Sequence, residues 1–130
     1  MTLLSFTAED VETYVEGSST DPEIYMISFS VGDVELDGHS WNFSRGLEDG
    51  DDDWGVCTVR EIQKATIHEC ITSFDLHRES LNCMFDPEGA SNTGFSELQI
   101  TFDLDARAWK QLADTARIVF QDRPYFTCED

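Results

Sequence analysis

Basic residues are scarce in this chain. Eight lysines and arginines stand against twenty-seven aspartates and glutamates in 130 residues, a formal net charge of −19 with a pI near 4.1. A chain this acidic repels phosphate backbones, which argues against direct nucleic-acid binding, and it repels anionic membrane surfaces. Long apolar runs are missing too. No stretch approaches the roughly 20 residues needed to span a bilayer, and residues 1–7 carry neither a basic n-region nor an apolar run long enough for a signal peptide. The expectation is a cytoplasmic protein whose Cys57, Cys70, Cys83 and Cys128 are free thiols. Cys-x-x-Cys and His-x-x-x-His pairs are absent, as are a glycine-rich phosphate loop, a nucleophile elbow and a His-Glu-x-x-His motif. The sequence therefore points to no cofactor and to a protein that is not an enzyme.

Hydrophobic residues make up 40% of the chain and aromatics 12%. That is enough to exclude wholesale disorder, and the length fits a single domain over 1–130. The clearest local signal runs from Glu97 to Phe120. Leu98, Ile100, Phe102 and Leu104 alternate with polar residues, the period of a strand with one buried face. The period then changes: Trp109, Leu112, Ala116, Val119 and Phe120 recur at steps of three and four, the stripe of a helix capped by Asp105. Pro124 stops any continuation. Such a helix is marginal alone, so it must pack on a sheet made from the rest of the chain.

Taken in order, residues 3–6 read as a short strand, and residues 8–16 fit helix and strand equally. Residues 17–22 (GSSTDP) are turn-forming. Tyr25, Ile27, Phe29 and Val31 mark a strand, Asp37-Gly38 a hairpin turn, and Trp41 with Phe43 the next strand. Residues 46–53 (GLEDGDDD) break the pattern, and like charges so dense predict an exposed, mobile loop. A strand over 54–62 follows. Ile67, Cys70, Ile71, Phe74 and Leu76 suggest one longer strand with a bulge. His77 to Ser80 turns the chain, and Leu81, Cys83 and Phe85 return as its antiparallel partner. A loop with a single helical turn then leads to Gly94, and Tyr125 and Phe126 are apolar enough to dock on the core. The expected class is α+β: a mostly antiparallel sheet of about six or seven strands with one C-terminal helix packed on it.

Three groups of residues are candidates for chemistry. Asp49, Asp51 and Asp53 are spaced like the first ligands of an EF-hand loop. Trp54 and Arg60, however, hold the positions that need glycine and glutamate, so weak cation binding fits better than a calcium site. His68, Cys70 and His77 lack the spacings of a tetrahedral metal site, which favours structural roles. Trp41, Phe43 and Trp54 flank the acidic loop. They read as core aromatics on neighbouring strands or, alternatively, as an aromatic patch rimmed by acids that would anchor a basic protein.

Several segments from Tyr25 to Phe120 resemble the bacterial immunity proteins grouped as the Imm10 family. The acidic run entering a strand (DDDWGVCTV), the hairpin ITSFDLHRESLNCMF, the loop DPEGASNTGF and the closing LQITFDLDARAWKQLADTARIVF carry the likeness. Ile67-His68-Glu69-Cys70 departs from the family's Tyr-Gly-Gly-like turn. The resemblance implies a protein that binds and neutralises a cognate bacterial toxin encoded by a neighbouring gene. An acidic inhibitor of a basic, nuclease-type toxin would associate quickly by electrostatic steering. The expected partner surface is Glu48, Asp49, Asp51, Asp52, Asp53 and Trp54. The alternative is an acidic imitator of nucleic acid that inhibits a nucleic-acid-binding protein, recognised by its capture of several basic partners.

Overall fold

The computed structural model describes residues 2–16, 23–33, 35–47, 55–61 and 65–129. Along them the chain forms β1 (Leu3–Thr7), β2 (Asp10–Glu16), β3 (Glu23–Val31), β4 (His39–Leu47), β5 (Cys57–Arg60), β6 (Ala65–His68), β7 (Ile71–Leu76), β8 (Ser80–Phe85), α1 (Pro87–Thr93), β9 (Glu97–Thr101), α2 (Ala106–Val119) and β10 (Phe126–Cys128). The class is α+β with mostly antiparallel strands, as expected. The expected single sheet of six or seven strands with one C-terminal helix is corrected: the described residues form ten strands in two sheets, a second helix, and a strand after α2. Alternation reveals which residues point inward, but it does not say which sheet receives them.

One sheet, here the meander sheet, has the order β2-β3-β4-β5-β6 and is antiparallel throughout. The other, the terminal sheet, has the order β1-β9-β8-β7-β10. Its centre is antiparallel, and its two edges are parallel pairs, β1 with β9 and β10 with β7. Period-two alternation gives each sheet an apolar face. On the meander sheet Ile27 lies opposite Phe43, and Phe29 opposite Trp41; all four are fully buried. On the terminal sheet Phe74, Leu76, Leu81, Cys83, Leu98 and Ile100 are buried in the same way. The two faces meet: Trp41 stacks on Phe85 with centroids 5.9 Å apart, and Phe43 meets Phe74 edge-on at 5.1 Å.

The helix signal in the sequence is accurate. The Asp105 carboxylate accepts a 2.8 Å hydrogen bond from the Ala108 amide, satisfying an amide that has no partner in the first turn. Trp109, Leu112, Ala113, Ala116 and Val119 are buried, and α2 packs against β2, β3 and β4. Phe120 follows it into a ring cluster with Phe43, Phe74 and Phe126. The expected single helical turn is the seven-residue α1, with Asp86 at its N-cap, Pro87 in its first turn and Gly94 in the left-handed conformation at its end.

The ambiguous stretch 8–16 is the strand β2. The long strand expected through Ile67 and Leu76 is two strands, β6 and β7, in different sheets. Glu69 takes a φ of 55° between them, a left-handed kink that hydrophobic pattern does not announce. The expected bulge is present, as a register shift between Ile71 and Ser73. Tyr125 and Phe126 pack against the core as expected. Among the described residues no helix is long and apolar enough to cross a membrane.

Candidate partner-binding surface

The residues expected to face a partner, Glu48, Asp49, Asp51, Asp52, Asp53 and Trp54, lie outside the described residues. Their flanks do not. β4 ends at Leu47, and the described chain resumes at Gly55 ahead of β5. Glu16 lies opposite Ile24, and Glu23 opposite Leu47. The strand ends that flank residues 17–22 and 48–54 therefore sit side by side at one end of the meander sheet. In sequence those two segments carry Asp21, Glu48, Asp49, Asp51, Asp52 and Asp53.

The same end exposes apolar side chains. Tyr14 is 39% accessible, Val15 57% and Ile24 47%. Single exposed hydrophobic residues are ordinary, but these three lie on adjacent strands at one sheet end. Tyr14 and Ile24 share the outer face, by the alternation of paired strands. Further along β2, Val11, Glu12, Thr13 and Tyr14 form one wall of an open groove of about 320 Å³, and Ala108, Gln111 and Leu112 of α2 form the other.

The base of this end is tightly tied. Arg45, buried on β4, donates from Nη1 to the Gln121 carbonyl at 2.5 Å, joining the sheet to the turn after α2. Arg123 is paired with Glu69. A charge-assisted bond of this kind is stronger than a neutral one, and it holds the C-terminal segment to the β6–β7 corner. Tyr125 lies beside this pair. Burial pushes its hydroxyl well above the usual tyrosine range, the Glu69 charge adds to that, and Arg123 opposes it.

The other candidates do not assemble into a site. Trp41 and Phe43 are core aromatics with no exposed surface. His68 is exposed on β6, whereas Cys70 is buried with its thiol donating to the His68 carbonyl. His77 lies against Glu129 at 3.4 Å. Among the described residues no group of three or more His, Cys, Asp and Glu side chains could hold a metal ion. Sequence reading missed one polar cluster at the opposite end of the meander sheet. There His39 Nδ1 and Glu61 Oε1 are 2.8 Å apart, and Arg60 Nη2 is 3.3 Å from Glu61 Oε2. Phe6 stacks on His39, while Arg60 lies over the Phe95 ring and donates to the Thr93 carbonyl. These contacts join the two sheets. Sequence reading also missed Tyr14, Val15 and Ile24. Their only signal is apolar residues among acids in DVETYVE and EIYM, which becomes informative once β2 is known to be an edge.

Comparison with known proteins gives no matching family model, no matching curated protein and no matching solved structure.

Proposed function

We propose that this chain is an immunity-type inhibitor that binds and neutralises a basic toxin domain, in keeping with the resemblance to the Imm10 immunity proteins. The observation that carries the reading is the meeting, at one end of the meander sheet, of exposed Tyr14, Val15 and Ile24 with the strand ends that flank two acid-bearing segments. Tyr14 and Ile24 on the outer face offer apolar contact beside acid-bearing sequence, a combination that suits a protein interface. A net charge of −19 suits a partner built to hold phosphates, speeds its capture and disfavours partners of the same sign. The toxin would be the product of a neighbouring gene, and binding it requires no cofactor.

The test is co-purification with the products of neighbouring genes, followed by association kinetics on the complex. Replacing Glu48, Asp49, Asp51, Asp52 and Asp53 by Asn and Ser should slow association about tenfold or more at low salt and flatten its salt dependence. Unchanged kinetics at low salt would remove these acids from the interface. Capture of assorted basic proteins, with no selective neighbour, would replace the immunity reading by the nucleic-acid imitator.

A further inference from the structure

β2 is an edge strand: it is hydrogen-bonded to β3 on one side and to no strand on the other among the described residues. An open edge presents a row of backbone donors and acceptors, and natural proteins cover or blunt such edges. β6, at the far edge of the same sheet, has α1 packed against it. α2 packs against β2 as well, but an open groove remains between the two.

The two faces of β2 differ in chemistry. Val11 and Thr13 alternate with Asp10, Glu12 and Tyr14, so the first pair faces the sheet interior and the second set faces outward. Asp10 and Glu12 are exposed. The β3 residues paired with them are Ser30 and Ser28, so no cation opposes either carboxylate across the strand. On the interior side the groove presents Val11, Thr13, Ala108 and Leu112.

We propose that β2 receives an extended segment of a basic partner, which adds a sixth strand to the meander sheet. The segment has Lys or Arg on alternate residues, placed beside Asp10 and Glu12, and small or branched apolar residues between them, placed in the groove toward α2. Backbone pairing supplies affinity in this mode of recognition, and alternate side chains supply specificity. Charge selects the occupant. A second copy of this chain would bring the acidic outer faces of two β2 strands together, and like charges in neighbouring strands are destabilising. This inference rests on the reading of the chain as a binding protein and assigns how its partner is held.

The probe is a capped heptapeptide of alternating Lys and Val, compared with one of alternating Glu and Val, titrated into the 15N-labelled full chain. The Lys-Val peptide should shift the amides of β2 together with Ala108, Gln111 and Leu112, and the Glu-Val peptide should shift none of them. The exposed double variant Asp10→Lys, Glu12→Lys should weaken the Lys-Val peptide about tenfold or more while leaving the remaining amide spectrum in place. Shifts scattered over the acidic surface without focus on β2 and α2 would overturn the proposal, as would no shift at all. Concentration-dependent dimerisation through the same amides would overturn it as well. If the double variant binds the toxin undiminished while the variant lacking Glu48, Asp49, Asp51, Asp52 and Asp53 does not, the strand-addition mode is wrong and the inhibitor reading stands.

Discussion

Gly55 has a φ of 77°, and a Cβ at this position would collide with the Glu69 carboxylate that pairs with Arg123. Gly55→Ala thus combines a left-handed alanine with displacement of a charged group. A loss of about 1–3 kcal/mol is expected, read from urea denaturation. Phe74 touches Phe43, Phe120 and Phe126 and is fully buried. Truncation to alanine opens a cavity between the sheets and should cost about 3–5 kcal/mol. Titration matters at the residue scale as well. Burial raises the thiols of Cys57, Cys70 and Cys83 above the ordinary value of 9.0, and Tyr125 is raised chiefly by the same cause. Above about pH 9 the unfolded chain sheds protons that the native one keeps, so the native state binds more protons and stability falls as pH rises. Below that value these groups make no pH-dependent contribution. Denaturation midpoints should be insensitive to these groups near pH 7–8 and decline beyond about pH 9. Cys83→Ala should make the decline shallower, and a midpoint that holds steady to pH 10 would contradict the assignment.

α2 and β2 represent the two extremes of what the sequence made legible. The stripe Trp109, Leu112, Ala116, Val119 and the cap Asp105 all lie within one turn-by-turn pattern, and each residue does in the fold what its spacing implies. Asp105→Ala should cost about 1 kcal/mol, since the Ala108 amide loses its acceptor, and Asp105→Asn should restore most of it. Isothermal denaturation distinguishes the two. β2 has both periods in its sequence, and pairing with β3 decides between them, a tertiary effect that propensity cannot foresee. The β6–β7 corner was hidden for a related reason. Apolar residues continue through Ile67, Cys70 and Ile71, while the chain leaves one sheet for the other at Glu69, whose side chain gives no turn signal comparable to glycine. The exposure of Tyr14, Val15 and Ile24 was illegible because it depends on which strand is left at an edge.

For the molecule as a whole, twenty-seven acids and eight bases make self-repulsion a standing cost of compactness. Raising NaCl from about 20 mM to about 500 mM shortens the screening length to a few ångströms and should raise the melting temperature by several degrees. A melting point that ignores salt would mean that the acids are spaced too widely to interact. The order of the strands has a further consequence, one of timing. The meander sheet is complete once residue 68 has been made, but Phe74, Phe85 and Phe120, which cover its Trp41 and Phe43, come later in the chain. β1 pairs in parallel with β9, more than 90 residues later in the chain, so it must wait for that partner. During synthesis the apolar face built from Trp41 and Phe43 therefore has no cover until those later residues have been made. Non-local parallel pairing is slow to form and prone to aggregation while it waits. The net charge of −19 opposes the association of neighbouring nascent chains during that interval.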